Sequence, residues 1–168
     1  MLFTQLALAV AAFAASSLAA PSEFYLKTTG SNIIAHNDLY VEAYHTGAGL
    51  GDPVLTTVTA NAGRFYLNET YLQMDIGQEY SYGFDIGGAT NYAAWEFVEV
   101  NAGQGVPGFE LENDSILVWN STEFGGWLAC DWWHGAPQLF WIVSYEKGAI
   151  SYPSSCSEVD LIPAAISS

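Results

Sequence analysis

Apolar and polar residues alternate along most of this chain with a period of two. Between residues 39 and 44, Leu39, Val41 and Ala43 interleave with Tyr40, Glu42 and Tyr44. Leu72, Met74 and Ile76 alternate with Tyr71, Gln73 and Asp75, while Phe65 and Leu67 flank Tyr66, and Phe109 and Leu111 flank Glu110. Successive side chains of a strand point to opposite faces, so this period predicts half-buried β-strands. The aromatic and β-branched runs from Trp127 to Trp133 and from Leu139 to Tyr145 suit the same state. Turn signals divide the runs: Gly47-Ala48-Gly49, Gly51-Asp52-Pro53, Asn61-Ala62-Gly63, Gly87-Gly88, Asn101-Ala102-Gly103, Pro107-Gly108, Gly125-Gly126 and Gly135-Ala136-Pro137. With 16 glycines and 6 prolines, a long helix has little room. Only the stretch from Ala89 to Trp95 is assigned a helical turn.

Many short strands with regular turns predict an all-β fold. No Pro-, Ser- or charge-rich linker interrupts the chain, which indicates a single compact domain. Phe24-Tyr25-Leu26, Phe65-Tyr66-Leu67 and Phe109-Glu110-Leu111 begin units 41 and 44 residues apart. Three such units suit a β-trefoil-like or small barrel; a β-sandwich is the alternative.

The first nineteen residues stand apart. Residues 6–15 (LALAVAAFAA) form an apolar core too short to span a bilayer, followed by the small residues Ser17 and Ala19. This pattern predicts a secretory signal peptide over residues 1–19, although no Lys or Arg precedes the apolar core. Residues 20–168 then form the mature domain, secreted and free of the membrane. Two features fit an oxidising compartment. The two cysteines, Cys130 and Cys156, read as one disulfide. Three acceptor sequences for N-glycosylation begin at Asn68, Asn113 and Asn120.

Charge narrows the partners. Eighteen acidic residues face three basic ones, a formal charge of −15. Nucleic-acid and anionic-lipid binding both need clustered Lys and Arg, so neither is expected. Disorder is excluded by a chain 51% hydrophobic and 15% aromatic. The alternation places many of the carboxylates on a solvated outer face.

Catalytic signatures are missing. There is no Gly-x-Ser-x-Gly, HExxH, phosphate loop or dinucleotide fingerprint, so no catalytic residue, metal or cofactor is assigned. His36, His45 and His134 read as surface or satisfied core residues, and the carboxylates Glu96 and Glu99 as a solvated strand or turn. One ligand site is suggested by strand alternation around Cys130. If Cys130, Leu128 and Trp132 face inward, Trp127, Asp131 and Trp133 emerge together. Two rings flanking a carboxylate suit a sugar, because rings stack on its apolar face and the carboxylate accepts from hydroxyls. The competing reading has both faces covered and the tryptophans in the core.

Two blocks, residues 39–50 (LYVEAYHTGAGL) and 125–140 (GGWLACDWWHGAPQLF), resemble a family of small secreted proteins from filamentous ascomycete fungi. More distantly, the layout is similar to fungal PhiA-type cell-wall proteins, through a Phe-x-Leu strand before a sequon-like turn, a Leu-x-Ala-Cys segment and a later Cys. The resemblance implies fungal origin, secretion and a wall role without catalytic residues. The expectation is a secreted non-enzymatic glycoprotein of the fungal wall or extracellular space that binds cell-wall glycans weakly. A secreted acidic polysaccharide hydrolase and a host-directed effector or allergen-like surface protein are the alternatives.

Overall fold

A computed structural model describes residues 22–90, 93–132, 134–149 and 151–166. The signal-peptide assignment, Trp133 and part of the stretch from Ala89 to Trp95 lie outside them. The chain is all-β, with twelve strands among the described residues. They are β1 (Tyr25–Thr29), β2 (Tyr40–Gly47), β3 (Leu50–Thr56), β4 (Arg64–Asn68), β5 (Tyr71–Asp75), β6 (Tyr82–Ile86), β7 (Trp95–Ala102), β8 (Phe109–Glu112), β9 (Ile116–Trp119), β10 (Phe124–Asp131), β11 (Pro137–Val143) and β12 (Cys156–Ala164). Among the described residues three single 3-10 turns occur, at Ile34–His36, Thr59–Asn61 and Ser144–Glu146. None of them falls on the described part of the stretch from Ala89 to Trp95. Its Trp95 opens β7 instead, because alternation takes over there.

Six antiparallel strands close a barrel in the order β10-β12-β1-β2-β3-β11, with β11 pairing back to β10. Of the architectures the pattern allowed, the small barrel is the one observed. The sheet branches at β11. Its start pairs with β3 through Gln138 and Val54, and its later residues pair with β7, Phe140 opposite Phe97. From β7 the sheet runs outward through β6 and β5 to β4. The flank then returns to the barrel, where Phe24 and Phe65 exchange two backbone hydrogen bonds of 2.8 Å. The aromatic repeat does not mark three equivalent units. Phe24 precedes a barrel strand, Phe65 lies on the flank, and Phe109 opens the separate β8–β9 hairpin.

Alternation explains the core. Leu26, Val41, Leu55, Leu139, Trp141, Val159 and Leu161 point into the barrel, and Phe65, Leu72, Phe84, Val98 and Val100 of the flank join the same apolar cluster. The opposite face of β10 and β11 is covered as well. Leu128, Cys130, Phe140 and Ile142 form a second cluster with Cys156, over which Trp95 and Tyr152 pack. A disulfide joins Cys130 and Cys156, which face each other across β10 and β12. Closing a 26-residue separation stabilises the fold by about 3–4 kcal/mol on the chain-entropy model.

Candidate functional site

The expected platform does not form as the alternation suggested. The phase along β10 is right, but its other face is not free. Trp127 is 2% exposed and belongs to the main core with Ala129. Its indole N–H donates to the Leu117 carbonyl at 2.6 Å. Both faces of β10 are buried because a central barrel strand here separates two apolar clusters. Asp131 is exposed at the end of β10, apart from the buried Trp127 ring. Trp132, expected to face inward, is 45% exposed and meets Phe140 edge-on. The strand ends at Asp131, and alternation ends with it.

Two of the histidines have defined partners. His36 is buried, with Nδ1 2.7 Å from the Ser157 hydroxyl and Nε2 3.4 Å from an Asp131 carboxylate oxygen. Ser157 in turn lies 2.6 Å from the Ser31 hydroxyl. His134 places Nε2 2.7 Å from Asp52 and its ring 4.3 Å from that of Tyr44. Among the described residues no three His, Cys, Asp or Glu side chains gather as a metal site. The two carboxylates of β7 do not converge. Glu96 is buried and accepts the Thr90 backbone N–H at 2.7 Å, a correction to its solvated assignment. Glu99, three residues on, faces the other side. There Asn101 donates to both Glu99 and Asp85.

A groove of about 600 Å³ lies instead on the flank. Its floor comes from the outer face of β4 and β5. Tyr66 stands opposite Gln73 in the register, and Asn68 and Asp75 lie on that same face. Their neighbours Phe65, Leu72 and Met74 are buried beneath. One wall is the segment around Gly103 and Gln104. It approaches this closely because β6 presents only Gly83, where a Cβ would come within 2.3 Å of the Gln104 backbone. A second wall carries Gln78, Glu79 and Tyr80, and Glu23 closes the rim.

The polar groups of the floor are oriented by each other. Asn68 donates its amide to Gln73 Oε1 at 3.1 Å, and Gln73 Nε2 donates to the Gln104 carbonyl at 3.4 Å. Gln73 is itself buried, so its direction is fixed by these two bonds. Tyr80 is 56% exposed and stacks on Tyr82, with ring centres 6.3 Å apart and planes 19° from parallel. Glu23 sits 3.8 Å from Arg64; Asp75 and Glu79 are exposed to solvent. Carboxylates therefore outnumber cations around the groove, which disfavours an anionic ligand and suits a neutral one rich in hydroxyl donors. A volume in the range of small-ligand clefts, two rings and several fixed amides supply shape and hydrogen bonding together.

Alternation put Gln73 and Asp75 on the polar face of one strand and Tyr66 on the polar face of another, without pairing the two, and took such faces as solvated. The walls come from residues far off in the chain, and no local pattern announces them. All three acceptor asparagines, Asn68, Asn113 and Asn120, are exposed. Asn113 and Asp114 turn the β8–β9 hairpin with φ of 51° and 58°, a left-handed conformation that Asn and Asp tolerate best among residues with a Cβ.

Comparison with curated proteins and with solved structures yields no match. A family model described as a domain of unknown function, DUF7907, matches residues 21–165, nearly the whole described fold, and the chain belongs to that family.

Proposed function

We propose that this is a secreted, non-enzymatic glycoprotein of the fungal cell wall or extracellular space, and that it binds neutral glycans in the flank groove. The observation that carries the reading is the groove itself, where Tyr66 and Tyr80 lie beside the hydrogen-bonded amides of Asn68 and Gln73. Rings stack on the apolar faces of sugars, and oriented amides and carboxylates pair with hydroxyls. Secretion rests on the leader pattern of residues 1–19, on the disulfide and on the three acceptor sequences. Fungal origin and the wall rest on the resemblance of residues 39–50 and 125–140. A glycan array bearing chitin, β-glucan and mannan oligosaccharides tests it. At least one class should be retained, and Tyr80→Ala should weaken retention by about 2- to 10-fold, the worth of one aromatic contact. Indifference to every class would reject it.

A second reading is favoured by one further observation. Glu23, Asp75 and Glu79 line the same groove, and Glu23 is partly buried. Two carboxylates flanking a sugar are what glycoside hydrolysis requires. Release of new reducing ends from a bound polysaccharide, lost in Glu23→Gln or Asp75→Asn, would establish the hydrolase. Binding without turnover favours the binding module.

A further inference from the structure

We propose that the groove selects β-1,4-linked N-acetylglucosamine, and that the chain carries its own competing ligand as the N-glycan on Asn68. The proposal rests on the glycan-binding reading above and names its ligand and its regulation.

Two observations meet at Asn68. It begins the acceptor sequence Asn68-Glu69-Thr70, and its side chain lines the groove. The two-residue turn Glu69-Thr70 joins β4 to β5, so the acceptor is displayed on an exposed hairpin end. Transfer from a lipid-diphosphate oligosaccharide donor breaks the C1–O bond of the donor, whose electron pair leaves with the diphosphate. It forms an Nδ2–C1 bond and releases one proton from Nδ2. The remaining N–H can still donate to Gln73 Oε1, now 3.1 Å away, which keeps the linkage at the groove floor. The first two sugars of an N-glycan are β-1,4-linked N-acetylglucosamine, the chemistry of a chitin fragment.

The lining matches that chemistry. Four residues with carboxamide side chains, Asn68, Gln73, Gln78 and Gln104, line one groove. Amides on two sides of a groove can engage the N–H and the C=O of one planar acetamido group at its two ends, whereas glucan and mannan offer hydroxyls, whose donor and acceptor share one atom. Asn113 and Asn120 share the acceptor pattern but do not line this groove. The self-ligand is therefore specific to Asn68. A ligand on a short tether has an effective concentration in the millimolar range. Competition then weakens apparent binding of a free ligand about tenfold where the open site's Kd is about a tenth of that concentration.

The test uses protein secreted from a glycosylating eukaryotic host and chitotetraose as the probe, titrated by calorimetry. Mass spectrometry should find Asn68 modified, and Thr70→Ala, which removes the acceptor sequence but keeps the Asn68 side chain, should bind chitotetraose about tenfold more tightly than glycosylated wild type. Adding Tyr80→Ala should reverse that gain. Should Thr70→Ala not be secreted, Thr70→Val, or wild type secreted from the same host with glycan transfer inhibited, opens the site by another route and keeps the Asn68 carboxamide. Equal affinity of the glycosylated and opened forms, or an unmodified Asn68, would overturn the self-ligand and leave the glycan groove standing. Binding of glucan or mannan fragments but not chitotetraose would overturn the N-acetylglucosamine assignment. Binding of none of them by the opened form would overturn both this proposal and the reading beneath it.

Discussion

The indole N–H of Trp127 donates to the backbone carbonyl of Leu117 across 2.6 Å, and this bond ties the closed barrel to the separate β8–β9 hairpin. Among the described residues the hairpin pairs with no other strand; this bond and the backbone N–H groups of Gly108 and Phe109, both donating to the Thr70 carbonyl, hold it in place. Trp127→Phe keeps most of the apolar volume but leaves the Leu117 carbonyl without its partner. It should cost about 1–3 kcal/mol, the penalty of an unpaired buried acceptor. Trp127→Ala should cost about 3–5 kcal/mol through the cavity as well. Urea denaturation measures both. Hydrogen exchange should show protection lost first in residues 109–119. If Trp127→Ala left stability intact and instead weakened glycan binding, the ring would belong to a site after all.

The same residue shows what was legible in the chain. Alternation gave the strands, and the phase along β10 is correct, with Trp127 and Ala129 on one face and Leu128 and Cys130 on the other. Period two reports which residues share a face, not which face is covered. At β10 the barrel core lies on one side and the disulfide cluster on the other, so both were filled. At β4 and β5 the reverse holds. Tyr66 and Gln73 face outward, as the pattern states, yet loops from elsewhere turn that face into a groove. Covering depends on long-range topology, here the branching of the sheet at β11, and no window of ten residues carries that information.

Alkaline pH should unfold the protein through two groups. A hydrogen bond and ion pair to Asp38 at 2.7 Å raises the Lys27 pKa from its ordinary 10.5 despite partial desolvation. Burial raises the Tyr152 pKa from its ordinary 10.0, and the Glu158 carboxylate adds to it. A group whose pKa is higher folded than unfolded holds its proton more tightly in the fold. Its contribution is complete below the unfolded value and is lost as pH climbs through the folded one. Stability should therefore fall above about pH 10. The Lys27 pair is largely solvent-exposed and should matter little. Tyr152 matters more, because its hydroxyl is buried without a hydrogen-bond partner among the described residues. Tyr152→Phe should leave the melting temperature at pH 7 unchanged or higher and flatten its decline between pH 10 and 11.5. An equally steep decline in the variant would show that another group dominates.

Acid should act on association rather than on one group. Of the 18 carboxylates, Glu96 alone is buried; the rest reach solvent. Carboxylates as a class titrate near pH 4, so roughly half lose their charge there. The net charge of −15 therefore shrinks toward zero. Repulsion between copies then fades while Ile34, Phe97 and Trp132 remain exposed. Light scattering should rise between pH 7 and pH 4 and rise further with added salt. Flat scattering across that range would mean that charge is not what keeps the copies apart.

Gly83 decides whether the groove exists. A methyl group there would lie 2.3 Å from the backbone carbon of Gln104 and from the nitrogen of Gly105, so the wall, not a flexible side chain, must move. Gly105 is constrained from the other side, since it holds φ of 75° and any Cβ would meet the Phe84 carbonyl oxygen at 2.4 Å. The loop can yield only outward. Gly83→Ala should therefore break the bond from Gln73 to the Gln104 carbonyl, free the Gln73 amide to rotate, and widen the groove. The stability cost should be about 1–3 kcal/mol, as for overpacking elsewhere, and the fold should survive it because the loop is at the surface. Glycan binding should fall far more than that loss explains, at temperatures where the variant is fully folded. Comparison with Gly88→Ala, where a Cβ meets nothing within 4 Å, separates the two effects. Retained binding by folded Gly83→Ala would show that the wall is not part of the site and would move the search to the opposite rim, where Glu23 stands.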